Sequence, residues 1–423
     1  MSKFLRRALF VVLPLAWLAA ANGARALEGL VRDSTTGKPI AQAIVVSGHN
    51  VTLTDANGRF NISSAASISA RAPGFQRYEQ RVRSDEHPVI ELAPLRPKAI
   101  YLSAYGIGNA ELRGDALKLI DETELNALVI DIKGDRGIVP HRSAAVAAAG
   151  LAQTVVTVAD MPALVTSLHA RGVYLIARIV VFKDEPLALA HPHWAVHDAS
   201  GAVWKDREDL PWIDPFHREA WERSLALAEE AAAMGFDEVQ FDYLRFPDAT
   251  GLVFSEVNNE DQRVSVIDAF LRAARDRLDR YNVFISADIF GYVAWNTGDT
   301  QIGQQLDTLP RRVDYLSPML YPSGFGLGIP GYRDPVAAPF EIVKLSLKRG
   351  RERTGLPGVR WRPWLQAFQD YAFDRRSFGA VEIRAQIDAA EAEDTDGWML
   401  WNPRNRYSKD GLAAGPAPSR SAP

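Results

Sequence analysis

The sequence predicts an α/β fold, a (β/α)8 TIM barrel that follows a small N-terminal all-β sandwich. From residue 97 to residue 408, eight β-prone runs alternate with stretches in which apolar residues recur at helical spacing. Each parallel strand needs a helical crossover to reach the next, so this alternation indicates a barrel. A doubly wound open sheet is the alternative, but no glycine-rich phosphate fingerprint follows the first strand. Residues 27–96 lack helical periodicity and are interrupted by turns, which is typical of a small sandwich.

Residues 1–26 have the pattern of a secretory signal peptide. Basic residues near the start precede the apolar run 8–21, and the small residues Ala24 and Ala26 mark a cleavage point, which we place after Ala26. The apolar run is shorter than the ~20 residues of a membrane span, which disfavours an uncleaved anchor. We therefore expect a secreted or periplasmic protein with no stable membrane span after cleavage.

Composition excludes several classes of partner and chemistry. The chain has 48 Lys and Arg residues against 52 Asp and Glu residues, with no long run of either sign, so nothing favours a nucleic acid partner. The sequence contains no cysteine. Disulfides, a thiolate nucleophile and thiolate metal sites are therefore excluded.

The segment 27–96 contains the β-prone runs EGLVR, AIVVSG, RFNIS and SISARA, separated by turns such as STTGKP and TDANGRF. Its residues resemble the carboxypeptidase regulatory-like (transthyretin-like) module. The positions that carry the resemblance are Gly29, Val31, Asp33, Gly37, Pro39, Ile40, Ala43, Thr54, Asp55, Gly58, Phe60, Ala72, Gly74 and Phe75. The resemblance implies an accessory sandwich, to which we assign no chemistry.

The barrel is predicted to occupy residues 97–408, followed by a disordered tail at 409–423. Its eight strand candidates are the runs 99–105, 127–133, 173–182, 238–246, 283–292, 313–322, 361–368 and 396–403. Helices such as REAWERSLALAEEAAAMG and QRVSVIDAFLRAARDRL lie between them.

Strand parity predicts which side chains face the barrel interior. Residues that face the surrounding helices must be apolar, so the polar side of each strand should face inward. The expected interior positions are Tyr101, Ser103, Tyr105, Asp131, Lys133, Asp135, Arg178, Gln240, Asp242, Ser286, Asp288, Ser317, Met319, Tyr321, Trp364, Gln366 and Trp401. Most lie toward the C-terminal ends of the strands, where barrel enzymes build their active sites.

Two aspartates on neighbouring strands are the catalytic candidates. Burying an unpaired carboxylate costs several kcal/mol, so Asp242 and Asp288 each need a partner or a task. A glycosidase needs one carboxylate that attacks or activates water and a second, protonated carboxyl that protonates the leaving oxygen. Strands ~4.8 Å apart bring two carboxyls toward the ~5–5.5 Å separation of a retaining pair. We predict Asp242 as nucleophile or base and Asp288 as acid.

Several long motifs are similar to one known family. KAIYLSAYG, LIDETELNALVIDIKGDRG, LIARIVVFKDEPLALAHPHWAV, the stretch from WIDPFHREAW to FDYLRFP, ADIFGY and SPMLYPS resemble the bacterial glycosyl hydrolase (TIM-barrel) family over about residues 97–405. The resemblance implies a hydrolase of O-glycosyl bonds in a polysaccharide. FDEVQFDYLRFP is also similar to the fourth-strand motif of chitinases. Tyr243 and Leu244 follow Asp242, however, and no glutamate occupies the proton-donor position, which argues against chitinase chemistry.

The remaining polar and aromatic candidates are assigned to substrate binding. They are Tyr105, Asp131, Lys133, Asp135, Arg178, Gln240, Arg245, Met319, Tyr321, Gln366 and Trp401. For the four charged residues from Asp131 to Arg178, a structural salt-bridge network is an equal alternative. Asp214, before Pro215, is expected to be a helix N-cap. His191 and His193 are expected to contact substrate or pack in a loop rather than bind metal, so no metal or cofactor is predicted.

The sequence favours an exported glycoside hydrolase that acts on a polysaccharide or oligosaccharide. A non-catalytic carbohydrate-binding barrel of the cell envelope is the alternative, because the chitinase glutamate is missing. A third hypothesis is a non-carbohydrate hydrolase with a metal ion at Asp131, Asp242 and Asp288.

Overall fold

The computed structural model describes residues 26–63, 66–83 and 86–415. The predicted signal peptide, apart from Ala26, and residues 416–423 of the predicted tail lie outside these ranges. No helix within the described ranges is both long and apolar enough to cross a membrane.

The N-terminal part is all β. Its strands are β1 (Ala26–Asp33), β2 (Ile44–Ser47), β3 (Asn50–Leu53), β4 (Arg59–Ser63), β5 (Ser67–Arg71), β6 (Tyr78–Arg81) and β7 (Val89–Leu92). They form two sheets, in the orders β4-β1-β7 and β3-β2-β5-β6. Apolar side chains from both sheets, such as Val31, Val45 and Ile90, form a separate core. The predicted β-sandwich is confirmed, whereas its identification as a carboxypeptidase regulatory-like module stays a prediction.

The C-terminal part is a closed barrel of eight parallel strands, which confirms the predicted fold class. The strands that follow β7 are β8 (Lys98–Leu102), β9 (Ala127–Lys133), β10 (Tyr174–Val180), β11 (His197–Asp198), β12 (Glu238–Asp242), β13 (Leu252–Val253), β14 (Phe284–Phe290), β15 (Tyr315–Met319), β16 (Trp364–Gln366) and β17 (Trp398–Trp401). The barrel order is β10-β12-β14-β15-β16-β17-β8-β9, while β11 and β13 pair as a short ribbon outside it.

Helices cover the outside of the barrel. They are α1 (Ala104–Gly108), α2 (Ala110–Glu122), α3 (Ala144–Ala148), α4 (Met161–His169), α5 (Glu185–Ala190), α6 (Trp221–Ala233), α7 (Glu260–Leu278), α8 (Pro339–Thr354) and α9 (Ala380–Ala392). The crossover from β14 to β15 departs from the predicted alternation, because it contains only 3₁₀ turns at Gly291–Ala294 and Leu309–Arg311. Its sequence, NTGDTQIGQQLDTLP, is rich in residues that interrupt helices.

Strands β8 and β12 both end several residues earlier than their sequence runs predict. Ser103 ends the first barrel strand, because its side chain accepts a hydrogen bond from the backbone N of Gly106 and caps α1. Tyr105 therefore lies on that helix with 55% of its surface exposed, and its predicted interior position is wrong. β12 ends at Asp242, since Tyr243 adopts a left-handed φ of 50°.

A β-bulge changes the direction of Lys133. Arg178 pairs with Asp131, but the next residue, Ile179, pairs with Lys133, so β9 contains one extra residue at this point. Ile179 belongs to the core between strands and helices, and Lys133 lies on the same side. Its ammonium contacts Asp184, which also binds Arg223 of α6. The predicted interior position of Lys133 is therefore wrong.

The sandwich packs against the N-terminal end of the barrel. Arg71 is fully buried and forms an ion pair with Asp279, just before β14. Arg77 donates from Nε to Asp237, just before β12, at 2.8 Å. The backbone N of Gly74 donates to the hydroxyl of Tyr315 at 3.4 Å. These contacts leave the opposite, C-terminal end of the barrel uncovered by the sandwich.

Candidate active site

Three alternate residues of β12 face the barrel interior in successive layers. The deepest, Glu238, accepts hydrogen bonds from Arg362 and from Ser286. In the next layer, Gln240 donates to Ser317 at 3.3 Å. Asp242, the last residue of the strand, forms the top layer. Of the three, Asp242 is the residue at the end where barrel active sites form.

Asp242 is held by donors on both oxygens. Its Oδ2 accepts from Arg178 Nε at 2.9 Å and Nη2 at 2.6 Å. Its Oδ1 accepts from the backbone N of Tyr243 at 2.6 Å, a geometry that goes with the left-handed turn at that residue. Both oxygens of Asp242 are therefore occupied by hydrogen-bond donors, and the guanidinium of Arg178 is a charged one.

Asp288 has a different environment, although it lies beside Asp242. Gln240 pairs with Ser286 across β12 and β14, so Asp242 and Asp288 occupy the next interior positions. Oδ1 of Asp288 accepts from Nε1 of Trp364 at 2.8 Å, while Oδ2 has no hydrogen-bond partner among the described residues. Burial, and then the negative charge of Asp242, raise the pKa of Asp288 well above its ordinary range. The two neighbouring carboxyl groups are therefore chemically unequal.

Arg178 joins three of the predicted site carboxylates. Besides Asp242, it donates to Asp131 Oδ1 at 2.7 Å and to Asp135 Oδ1 at 3.3 Å. Asp131 Oδ2 also accepts from the Tyr101 hydroxyl at 2.6 Å. Burial raises the pKa of Asp131 to about 6, although Arg178 opposes that rise. Arg178 is 1% exposed, so it positions carboxylates and its present contacts are with protein groups.

Three other predicted substrate-binding residues are fully buried and bonded to protein groups. Lys133 Nζ donates to Asp184 at 2.7 Å, and burial lowers its pKa to about 8. Gln240 contacts Ser317, as described above. Gln366 donates from Nε2 to Ser323 Oγ at 2.7 Å. A substrate contact by any of the three stays a prediction that requires side-chain movement.

Aromatic side chains surround the opening above the two aspartates. Trp401 stacks on Tyr101 with ring centroids 4.0 Å apart, and Arg178 lies 4.9 Å above its ring. Tyr321 and Met319 are partly exposed at the end of β15. Tyr321 meets Phe368 edge-on at 5.5 Å, and Phe368 stacks with Tyr371 at 6.2 Å. Phe368 and Tyr371 were not predicted as site residues, although the recurring aromatic residues of QAFQDYAF, which starts at the last residue of β16, were a usable signal.

A side pocket of about 350 Å³ is lined in part by the segment that directly follows Asp242 in the sequence. Tyr243 and Arg245 line it, together with Trp204, Trp212 and Phe290. Arg245 was a predicted binding residue. Phe290 was not predicted as a binding residue, because it lies at the end of β14 and is distant in sequence from Arg245.

Asp214 and His191 both lie outside the barrel strands. Asp214 is not a helix N-cap, because α6 begins only at Trp221. Its carboxylate instead accepts from the backbone N atoms of Phe216 at 3.0 Å and Ser255 at 2.7 Å, which joins two loops. His191 stacks on Trp194 with centroids 4.1 Å apart.

The His, Asp and Glu side chains of the described ranges are poorly arranged to bind a metal ion. Within the described ranges, no group of three or more His, Asp or Glu side chains is arranged to hold one. The hypothetical site at Asp131, Asp242 and Asp288 contains the Arg178 guanidinium, which is bound to the first two. A cation there would have to displace an existing positive charge.

Comparison with solved structures identifies similar folds. The PgaB (BpsB) glycoside hydrolase domain from Bordetella bronchiseptica is 13% identical, with a TM-score of 0.55 over 76% of this chain and 99% of that chain. A hypothetical protein from Ruminiclostridium thermocellum is 34% identical, with a TM-score of 0.40 over 45% of this chain and 96% of that chain. A chitinase from Chromobacterium violaceum is 12% identical, with a TM-score of 0.45 over 75% and 95%.

No curated protein sequence matches the chain. A family model described as "Putative glycosyl hydrolase domain" matches residues 99–407, which span the barrel from β8 to the residues after β17. Because this match covers well over half of the chain, the protein belongs to that glycosyl hydrolase family.

Proposed function

We propose that the protein is an exported glycoside hydrolase that cleaves O-glycosyl bonds in a polysaccharide. The observation that carries the proposal is the unequal pair at the open end of the barrel. Asp242 has both oxygens bound by donors, whereas Asp288 has a raised pKa and an unbonded oxygen. Carboxyl groups whose environments differ in this way suit separate base and acid roles. Export rests on the signal-like pattern of residues 1–26.

In the proposed reaction, Asp288 supplies the proton from Oδ2 to the glycosidic oxygen as the bond to the anomeric carbon breaks. The leaving sugar departs as an alcohol. In one course Asp242 bonds to the anomeric carbon; water then attacks that carbon, gives its proton to Asp288, and the bond to Asp242 breaks. In the other course, Asp242 takes the proton of the water that attacks directly, and both carboxyl groups then exchange protons with solvent to return to their starting states. The water oxygen bonds to the anomeric carbon, and one water molecule is consumed for each bond cleaved. Both stereochemical outcomes satisfy this balance.

The aromatic side chains at the opening support a carbohydrate substrate. A pyranose ring has an apolar face of C–H groups, which can be removed from water against a flat ring. Trp401 and Tyr321 offer such surfaces near the aspartates, and Phe368 and Tyr371 continue from Tyr321. Arg178 holds Asp131 and Asp242 in place beneath them.

Asparagine variants test the catalytic assignment. Asp242→Asn and Asp288→Asn are nearly isosteric, but the first removes the negative charge and the second removes the acidic proton. We expect each to lower turnover about a thousandfold, which corresponds to a loss of ~4 kcal/mol in transition-state stabilisation. Reducing-end release from a polysaccharide panel measures turnover, and circular dichroism measures folding.

Asp388→Asn on the exposed face of α9 is the matched control and should retain native turnover. Native turnover in folded Asp242→Asn protein would refute the assignment.

One observation favours a second candidate, a non-catalytic carbohydrate-binding barrel. No glutamate follows Asp242 at the proton-donor position of the chitinase motif, where Tyr243 and Leu244 stand instead. Saturable binding of a polysaccharide without release of reducing ends would support this candidate.

A further inference from the structure

The side pocket next to Asp242 is large enough for a ligand. Its volume of about 350 Å³ lies within the ~300–1,000 Å³ range of small-molecule sites. The lining includes Trp204, Trp212, Phe290 and the segment that follows Asp242. A sugar chain bound across the aspartate pair would therefore reach this pocket with a neighbouring unit.

Within the part of the chain that the structure describes, Arg245 lines this pocket without a carboxylate in direct contact. Its guanidinium lies 4.6 Å from the ring centroid of Phe290, 4.8 Å from that of Trp212 and 5.4 Å from that of Tyr243. One donor, Nη1, is bound to the carbonyl of Phe246 at 3.0 Å. Among the described residues, no carboxylate lies within ion-pair distance of Arg245, and its other N–H groups have no protein acceptor. Burial without an ion pair lowers its pKa, yet an arginine stays charged at neutral pH.

Two carboxylates of the lining, Asp206 and Glu208, pair with Lys183 and not with Arg245. Asp206 lies 2.9 Å from Lys183 Nζ and accepts from Nε1 of Trp212, also at 2.9 Å. Glu208 lies 2.6 Å from the same ammonium. The remaining charged groups of the lining, Arg207 and Asp248, are exposed. Within the described residues, Arg245 is therefore left without a carboxylate partner, and its remaining N–H groups are available to a ligand.

We propose that this pocket is a subsite for an acidic sugar, whose carboxylate is bound by Arg245. The planar guanidinium can bind both oxygens of a carboxylate, and such charge-assisted pairs are among the stronger hydrogen bonds. Trp204 and Trp212 supply apolar surface for the sugar ring. This assignment rests on the proposed function and narrows its substrate to a polysaccharide that contains uronic acid units.

Binding experiments on the full chain test the subsite without requiring turnover. The probes are hexasaccharides of galacturonate, glucuronate and mannuronate, each compared with its methyl ester, which keeps the sugar and removes the charge. We expect calorimetry to show at least tenfold tighter binding of one acid than of its ester. Added salt should weaken the acid selectively, because it screens the ion pair.

Two arginine variants locate the effect. Arg245→Met should bind acid and ester equally, whereas Arg245→Lys keeps the charge but loses the planar fork and should retain only part of the preference. Arg349→Met is the matched control, since Arg349 also lies over an indole, 5.2 Å from the Trp295 ring centroid, but does not line the pocket. It should bind like the native protein. Thermal unfolding of each variant shows whether it is folded. If Arg245→Met is not folded, the loss of acid preference in Arg245→Lys tests the proposal.

Three results would overturn the proposal. The first is equal binding of every acid and its ester by the native protein, and the second is an acid preference that survives in folded Arg245→Met or is undiminished in Arg245→Lys. The third is Arg245-dependent binding of a sulfated galactan hexasaccharide instead of any uronate. Failure of the proposed function gives a different result. Acid-selective binding without cleavage would refute the proposed hydrolysis but support the acidic-sugar subsite. Cleavage of neutral glycans without acid selectivity would support the hydrolysis but refute the subsite.

Discussion

The Asp288 carboxyl group lies in the barrel interior, where one oxygen accepts a hydrogen bond from Trp364 and the other has no partner in the part of the chain that the structure describes. In the unfolded chain it loses its proton near its ordinary pKa of 3.8, whereas the folded protein keeps the proton to higher pH. The stability contributed by protonated Asp288 is therefore fully present below about pH 3.8. It is lost as the pH rises through the pKa of the folded state.

This linkage predicts the pH dependence of the Asp288→Asn variant. Asparagine is neutral at every pH, so the variant does not pay for ionisation in the interior. We expect its melting temperature to rise relative to the native protein as the pH increases from ~4 to ~9. Each unit by which the folded pKa exceeds the ordinary value corresponds to about 1.4 kcal/mol. Thermal unfolding across this pH range measures the difference, and a difference that stays constant with pH would contradict a raised pKa.

The entry into β17 depends on a glycine. Gly397 has φ of +73°, and a Cβ added there would lie 1.8 Å from the carbonyl oxygen of Pro97. The next residue, Trp398, donates its backbone N–H to that same oxygen at 3.1 Å. This contact joins the last strand of the barrel to the first, so the close approach at Gly397 is part of barrel closure.

Gly397→Ala should be much more destabilising than an ordinary glycine replacement. The left-handed backbone alone costs a residue with a Cβ roughly 1–2 kcal/mol, and the overlap with Pro97 adds to this cost. Gly172→Ala is the matched control, because Gly172 has φ of +75° and nothing within 4 Å of an added Cβ. Urea unfolding should show a clearly larger loss for Gly397→Ala. Equal losses would mean that the strand adjusts freely at this point.

Strand positions and the inward-facing aspartates were predictable, because side chains alternate along a regular strand. Strand ends were not, since they depend on local hydrogen bonds such as the Ser103 cap and on the left-handed turn at Tyr243. Lys133 was misplaced for a similar reason: a bulge inserts one residue, and parity then fails beyond it. The side pocket combines loop and strand-end residues that are distant in sequence, so periodicity contains no signal for it.

The sandwich and the barrel share a buried ionic contact, which makes their stabilities interdependent. Arg71 is 0% exposed, and its charged partner is Asp279 on the barrel. Asn282, in the same turn, donates to the carbonyl of Ala70 at 3.4 Å. A buried guanidinium that loses its carboxylate is strongly unfavourable.

Asp279→Ala should therefore destabilise the whole chain by about 3–5 kcal/mol. Glu91→Ala is the matched control, because it frees Arg32 from an exposed ion pair within the sandwich and should cost only about 0–1 kcal/mol. Calorimetry should show a single unfolding transition for the native chain, with a large decrease in its midpoint only for Asp279→Ala. Two separate native transitions would show that the sandwich and barrel unfold independently.

The layers beneath Asp242 have a consequence for the route of every molecule in the reaction. Among the described residues, Glu238, Arg362 and Asp396 fill the lower barrel with no solvent-exposed surface, and the sandwich covers that end. Sugar chain, attacking water and both products must then pass through the same opening at the C-terminal end. A polysaccharide lying across that opening would obstruct the supply of water to the bond being cleaved. In the proposed reaction, hydrolysis would therefore depend on the gap that the bound chain leaves, and the width of that gap would decide whether water or a second sugar hydroxyl reaches the anomeric carbon.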